Sequence, residues 1–133
     1  MYFEHNIHDN LCVVHSLNNI LQNFSHIPRI TSQKLMKWSK DNSSKYYDKT
    51  GFDLFKVLHN LKLHYGITFK NIKPFKNLNS YARGYYLISV HKHDYNHMVS
   101  IVNGVLMDNE DKDEKPYTEI KYYKILDLHK LMI

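Results

Sequence analysis

The chain has 133 residues, a formal net charge of +5 and one cysteine, Cys12. Single domains of roughly 100–150 residues are common, so one domain with its own hydrophobic core is expected. The single cysteine excludes an intramolecular disulfide and a cysteine-rich zinc site. No apolar run approaches the roughly 20 residues that span a bilayer, and the polar segment 1–10 does not resemble a secretory signal. We therefore expect a soluble protein without a membrane partner.

The positive charge comes mainly from lysine, since Arg29 and Arg83 are the only arginines among 18 basic residues. Nucleic-acid surfaces favour the bidentate contacts of arginine, and no nucleic-acid motif is present, so we expect no nucleic-acid partner. A basic, aromatic-rich module that binds RNA remains an alternative. The segment 108–119 has the opposite character, with six acidic residues and two lysines.

Apolar residues at helical spacing predict three helices in the first half of the chain. The first covers 12–24, with Asp9 or Asn10 as its N-cap. The second covers 32–40, with Thr31 as its N-cap and an inward face of Leu35, Met36 and Trp38. The third covers about 52–65 and ends at Gly66, and its apolar stripe consists of Phe55, Leu58, Leu61 and Tyr65.

The second half changes to the alternating pattern of β-strands. Strands are predicted at 67–72, 85–92, 97–102 and 105–107, with a two-residue turn at Asn103-Gly104. An acidic loop at 108–116 precedes a last strand at 117–126, and the remaining residues are predicted to form a tail or short helix. Helices followed by antiparallel strands indicate the α+β class. We expect one domain over 1–133, with a helical part at about 1–66 and a sheet part at about 67–133.

Cys12 lies in the first turn of a predicted helix. Backbone N–H groups are unpaired there and the helix dipole is positive, so both stabilise a thiolate, the nucleophilic form of cysteine. The alternative is that Cys12 is a small buried apolar side chain.

A thiolate enzyme needs a base and a group that orients the base. His97 begins one predicted strand, and Asp108 follows the end of the next strand across the turn, so the hairpin can bring them together. Asp108 can accept from one imidazole nitrogen while the other faces Cys12. The Cys12 backbone N–H and the Asn6 side chain are candidate donors to an oxyanion. The alternatives are a surface histidine for His97 and a solvated acidic loop for Asp108.

These residues together resemble the papain-like cysteine peptidases. Within that class, residues 12–22 (CVVHSLNNILQ) closely resemble the nucleophile helix of the Josephin deubiquitinases, which reads Cys, two residues, His, one residue, Leu-Asn-Asn, one or two apolar residues, and Gln. Residues 97–109 (HMVSIVNGVLMDN) resemble the family segment from the catalytic histidine to an Asn or Asp. Residues 51–67 resemble the helix that leads into the sheet.

The resemblance implies a papain-like (Josephin-like) fold with Cys12 as nucleophile, His97 as general base and acid, and Asp108 as its orienting group. It implies that His15 of the helix motif is not catalytic. The family places a glutamine before the cysteine to form the oxyanion hole, a role that the shorter Asn6 would take here. A missing oxyanion donor costs about 10²–10³ in rate.

The implied activity is that of a deubiquitinase, a thiol protease that cleaves ubiquitin or ubiquitin-like conjugates after the terminal Gly-Gly. The alternative substrate is a polyprotein or host protein, cut by a viral or bacterial papain-like protease. We expect a monomer in the cytoplasm, or in the host cytoplasm if a pathogen encodes it. No cofactor and no metal are expected, because His91 and His93 lack a third ligand at a convincing spacing.

Overall fold

The computed structural model describes residues 12–41, 47–48, 51–92, 95–108 and 114–132. Three α-helices and eight β-strands lie in these ranges. The helices are α1 (Cys12–Leu21), α2 (Ser32–Asp41) and α3 (Leu54–Tyr65). The strands are β1 (Tyr47–Asp48), β2 (Gly51–Phe52), β3 (Thr68–Ile72), β4 (Tyr85–Lys92), β5 (Tyr95–Val102), β6 (Val105–Met107), β7 (Glu114–Pro116) and β8 (Lys124–Met132). None of the described helices is both long and apolar enough to cross a membrane.

The larger sheet has six antiparallel strands in the order β3-β8-β4-β5-β6-β7, and β1 pairs with β2 in a separate hairpin. The three described helices precede this sheet in the chain, and α1 is buried along most of its length. The predicted α+β class is therefore confirmed.

Side chains that alternate along the strands form a separate hydrophobic core on each face of the sheet. The inner core joins the helices to one face and includes Leu17, Leu61 and Leu87. The outer core lies on the other face, where Ile88, Val99 and Ile101 are buried with Tyr81 and Ile120 of two 3₁₀ segments. The helices thus cover one face of the sheet and the 3₁₀ segments cover the other, and β5 contributes side chains to both cores.

The start of α2, the end of α3 and the β5–β6 turn lie where the sequence predicted them. Thr31 caps α2, since its Oγ1 accepts from the Lys34 N–H at 3.1 Å. Gly66 ends α3 in the left-handed conformation with φ 69°, and Asn103 and Gly104 form the β5–β6 turn with φ 47° and 84°. These positive φ values suit glycine and asparagine. The predicted caps Asp9 and Asn10 lie outside the described residues.

Two apolar residues predicted to point inward are exposed instead. Met36 is 50% exposed and Phe55 is 67% exposed, whereas Leu35, Trp38 and Leu61 are buried as expected. A short helix that packs through one narrow stripe leaves apolar residues at its margins in solvent. The first helix also ends earlier than predicted, at Leu21, although Phe24 still packs against the inner core.

The C-terminal prediction was wrong. Residues Tyr117–Tyr122 form a 3₁₀ segment rather than a strand, and the last strand starts at Lys124 and continues to Met132. This strand pairs with β3 on one side and β4 on the other. Its backbone hydrogen bonds are thereby satisfied by two partners, and Leu128 and Leu131 are buried on opposite faces. Those long-range pairings outweigh the local preference of the segment.

The predicted acidic loop also contains structure at its end. Glu114–Pro116 form β7, which pairs with β6 at the edge of the sheet. Residues 109–113 lie outside the described part of the chain.

Candidate active site

Cys12 is the first residue of α1 and is partly exposed. The next turn of this helix is fixed to the sheet, because the Ser16 Oγ donates to the Met98 carbonyl oxygen at 3.1 Å. Met98 follows His97 directly in β5. The bond therefore holds the start of α1 against the end of β5 that carries His97.

The β5–β6 hairpin brings His97 and Asp108 together as predicted. The pairing of β5 with β6 runs from Val102 and Val105 out to Ser100 and Met107, so the hairpin carries Asp108, the residue after β6, back toward the start of β5. There the two side chains meet, with His97 Nε2 2.8 Å from Asp108 Oδ1.

Both members of this pair are shielded from water. The His97 side chain is 9% exposed and the Asp108 side chain is fully buried. Asp108 is thus not a member of a solvated acidic loop, and His97 is not a surface histidine. A hydrogen bond to a charged partner in such a site is stronger than one in water.

The protonation of His97 follows from its neighbours. Burial lowers its pKa, but hydrogen bonds to Asp108 and Cys12 and the negative charges of both groups outweigh burial and raise the pKa to about 9. His97 is therefore an imidazolium at neutral pH. Because Nε2 is bonded to Asp108, Nδ1 is the nitrogen left for Cys12. The structure thus joins Cys12, His97 and Asp108 in one line of contacts.

Tyr123 is a member of this site that sequence reasoning missed. Its hydroxyl donates to the Asp108 Oδ2 at 3.3 Å, so the two carboxylate oxygens bind different partners. The sequence placed Tyr123 in a predicted strand with no relation to the hairpin. The sequence offered only an indirect signal: if Asp108 is buried, both of its oxygens need donors, which calls for a second polar side chain beside His97.

His15 lies near the site and differs from His97 in charge. It is buried within α1, and burial, with a smaller effect of the His97 charge, lowers its pKa. His15 is therefore neutral at neutral pH. A neutral ring beside an imidazolium avoids a second positive charge in the same buried region.

Of the two predicted oxyanion donors, Cys12 lies within the described residues. Asn6 lies outside the described residues, so its predicted role is not tested. The Cys12 N–H belongs to the first turn of α1, where backbone N–H groups have no intrahelical acceptor. This N–H can therefore donate a hydrogen bond to an oxyanion at the site.

A second buried histidine lies beside an aspartate on β8. The Nε2 of His129 is 3.9 Å from Asp127 Oδ2, beyond hydrogen-bond reach, and 3.3 Å from the Asn71 Nδ2. Burial lowers the pKa of His129, while the Asp127 charge opposes this with a smaller effect. Within the described ranges, no three His, Cys, Asp or Glu side chains are placed to hold a metal ion.

No protein-family model matches the chain, and no curated protein matches its sequence. The candidate active site therefore depends on its own geometry and on the residues of its motif.

Proposed function

We propose that the protein is a cysteine protease of the papain-like class. The observation that carries this proposal is His97, which lies 2.8 Å from the buried Asp108 carboxylate and whose pKa is raised to about 9 by its interactions with Asp108 and Cys12. A histidine between a thiol and a carboxylate is the arrangement that nucleophilic thiol catalysis requires. The position of Cys12 at the start of α1 adds the stabilisation that a helix N-terminus offers a thiolate.

Acylation is the first half of the proposed reaction. The Cys12 thiolate forms a bond to the carbonyl carbon of the scissile amide, and the carbonyl electron pair moves to oxygen. The oxyanion then re-forms the carbonyl, the C–N bond breaks, and the leaving nitrogen takes the proton of the His97 imidazolium. The products of this half are an acyl thioester on Cys12, a free amine and a neutral His97.

Hydrolysis of the thioester completes the cycle. Neutral His97 accepts a proton from water, whose oxygen forms a bond to the thioester carbon. Collapse of this second tetrahedral species breaks the C–S bond and releases the carboxylic acid. His97 keeps the proton as imidazolium beside the restored thiolate, and Asp108 stabilises that positive charge throughout both halves.

The substrate class is proposed from the motif around the nucleophile. Residues 12–22 resemble the Josephin nucleophile helix, which favours ubiquitin or a ubiquitin-like protein as the partner and cleavage after its terminal Gly-Gly. The described α+β architecture, with α1 packed against an antiparallel sheet, is compatible with a papain-like fold. We propose that the protein acts as a monomer in the cytoplasm and without a cofactor.

A ubiquitin probe with an electrophilic C-terminus tests this proposal. Cys12 is the only cysteine, so the intact mass of the product assigns every thiol adduct. We expect a covalent adduct with the wild-type protein and none with Cys12→Ala. A His97→Gln variant keeps the thiol and controls for simple thiol reactivity, and we expect its adduct to form at least about 10²-fold more slowly.

Iodoacetamide separates the chemistry from the substrate. Rapid alkylation of Cys12 in the wild-type protein, slowed in His97→Gln, supports an activated thiol even if the ubiquitin probe fails. Failure of the probe together with cleavage of peptides that carry a side chain larger than glycine before the cut would assign a different protein substrate. Equal, slow alkylation of both proteins would remove the protease proposal.

A further inference from the structure

Asp108 has two carboxylate oxygens, and each binds a different side chain. Oδ1 lies 2.8 Å from the His97 Nε2, and Oδ2 accepts from the Tyr123 hydroxyl at 3.3 Å. The carboxylate is fully buried, so protein groups rather than bulk water fill its coordination. These two contacts in different directions restrict the rotation of the carboxylate about its Cβ–Cγ bond.

The segment that carries Tyr123 is attached to the catalytic hairpin at both ends. At its start, the Tyr117 N–H donates to the Gly104 carbonyl oxygen at 2.9 Å, within the β5–β6 turn. At its end, the Tyr123 hydroxyl reaches Asp108, directly after β6. Between these points the segment forms a 3₁₀ turn that buries Ile120 completely.

The backbone of Tyr123 is itself held in place. Its N–H donates to the Ile120 carbonyl oxygen at 3.0 Å and closes the 3₁₀ segment. Its side chain packs against the outer core. The hydroxyl is therefore delivered to Asp108 from a packed element and not from a free loop, as a positioning group requires.

We propose that Tyr123 is a positioning residue, which holds Asp108 in the orientation that His97 requires. As a role in catalysis, this inference rests on the proposed function. Without the hydroxyl, Oδ2 loses a donor in a buried site and the carboxylate can rotate away from His97. The Oδ1–Nε2 bond then weakens, and the support that this bond gives to the imidazolium decreases.

The test uses the full chain with Tyr123→Phe, which removes the hydroxyl and keeps the ring. Tyr117→Phe is the matched control, because the Tyr117 hydroxyl donates to Asn79 Oδ1 at 3.2 Å and not to a member of the site. The pKa of His97 is measured by NMR titration of its imidazole signals in all three proteins. Turnover of a ubiquitin C-terminal amide substrate gives kcat and KM.

We expect Tyr123→Phe to lower the pKa of His97 by about half a unit or more. We expect kcat to fall about fivefold, the rate effect of one ordinary hydrogen bond, with KM within about twofold of wild type. The control should change neither quantity. Wild-type values in a folded Tyr123→Phe would overturn the inference.

Two other outcomes also count against it. Reduced thermal stability with an unchanged His97 pKa would show a merely structural role. A higher His97 pKa would show that the hydroxyl only withdraws charge from Asp108. If the wild-type protein does not turn over the ubiquitin substrate, the proposed ubiquitin specificity fails, whereas the NMR comparison still decides whether Tyr123 orients Asp108.

Discussion

Two histidines whose side chains are largely shielded from water lie near aspartates and yet differ in charge. His97 bonds Asp108 at 2.8 Å, and its pKa is raised to about 9. His129 is 3.9 Å from the nearest oxygen of Asp127, and burial lowers its pKa. At neutral pH the first is an imidazolium and the second a neutral ring. Proximity to a carboxylate therefore does not by itself determine the charge of a buried histidine.

The two histidines differ in their partners, since Asp108 and Cys12 both raise the pKa of His97, whereas an amide group lies between His129 and Asp127. Asn71 donates through Nδ2 to Asp127 Oδ1, and this fixes the direction of its amide group. The same nitrogen faces His129 Nε2 at 3.3 Å, so Nε2 must accept and the ring proton resides on Nδ1. That Nδ1 is buried and has no hydrogen-bond partner among the described residues. Asn71 thus contacts both members of the pair, and His129 makes no hydrogen bond to Asp127.

The largest expected effect is on kcat/KM, when the aspartate beside each of the two histidines is replaced in turn. Asp108→Ala removes both the acceptor and the charge that hold the His97 proton, so we expect the pKa of His97 to fall and kcat/KM to fall about 10²–10⁴-fold. Asp127→Ala is the matched substitution beside His129, and it should leave kcat/KM within about twofold of wild type. Cleavage of a ubiquitin C-terminal amide substrate measures both. Equal losses in the two variants would contradict separate roles for the two pairs.

The next effect is on stability at alkaline pH. The pKa of His97 is higher in the folded protein than its ordinary value of 6.5, so the folded state binds this proton more tightly. The resulting stabilisation is fully present below pH 6.5 and is lost as pH rises through about 9. Urea unfolding between these pH values should show a loss of roughly 1–3 kcal/mol in the free energy of unfolding.

The control for this pH dependence is His97→Gln, whose free energy of unfolding should decline less over the same range. His129 acts in the opposite direction. Its pKa is lowered on folding, so its contribution destabilises the protein as pH falls below the ordinary histidine value. An alkaline decline of the same size in His97→Gln and wild type would contradict the assignment of the charge to His97.

The smallest effect concerns Asn71. Asn71→Ala removes the donor to His129 Nε2 and to Asp127, and we expect it to lower the free energy of unfolding by about 1 kcal/mol. The pKa of His129 should rise, because Asp127 is no longer bonded to the amide. Asn96→Ala is the control, since Asn96 pairs with His91 at the surface. An unchanged His129 titration by NMR would show that Asn71 does not separate the pair.

The sequence predicted those parts of the candidate site whose positions depend on residues close together in the chain. Cys12 begins a helix whose apolar stripe is readable, and the Asn103-Gly104 turn sets the hairpin register that brings Asp108 to His97. Tyr123 was not predictable, because the 3₁₀ segment before it is attached to the hairpin by a long-range hydrogen bond. No spacing along the chain encodes that attachment.

The sequence by itself determined three helices, the alternation of the β4–β6 strands and a thiol at the start of α1, because these depend on residues near one another in the chain. Only the tertiary structure decided the role of the C-terminal segment, which became a strand between β3 and β4. It also decided the charges of His97 and His129. A pKa depends on burial and on hydrogen-bond partners, and those partners come from distant parts of the chain.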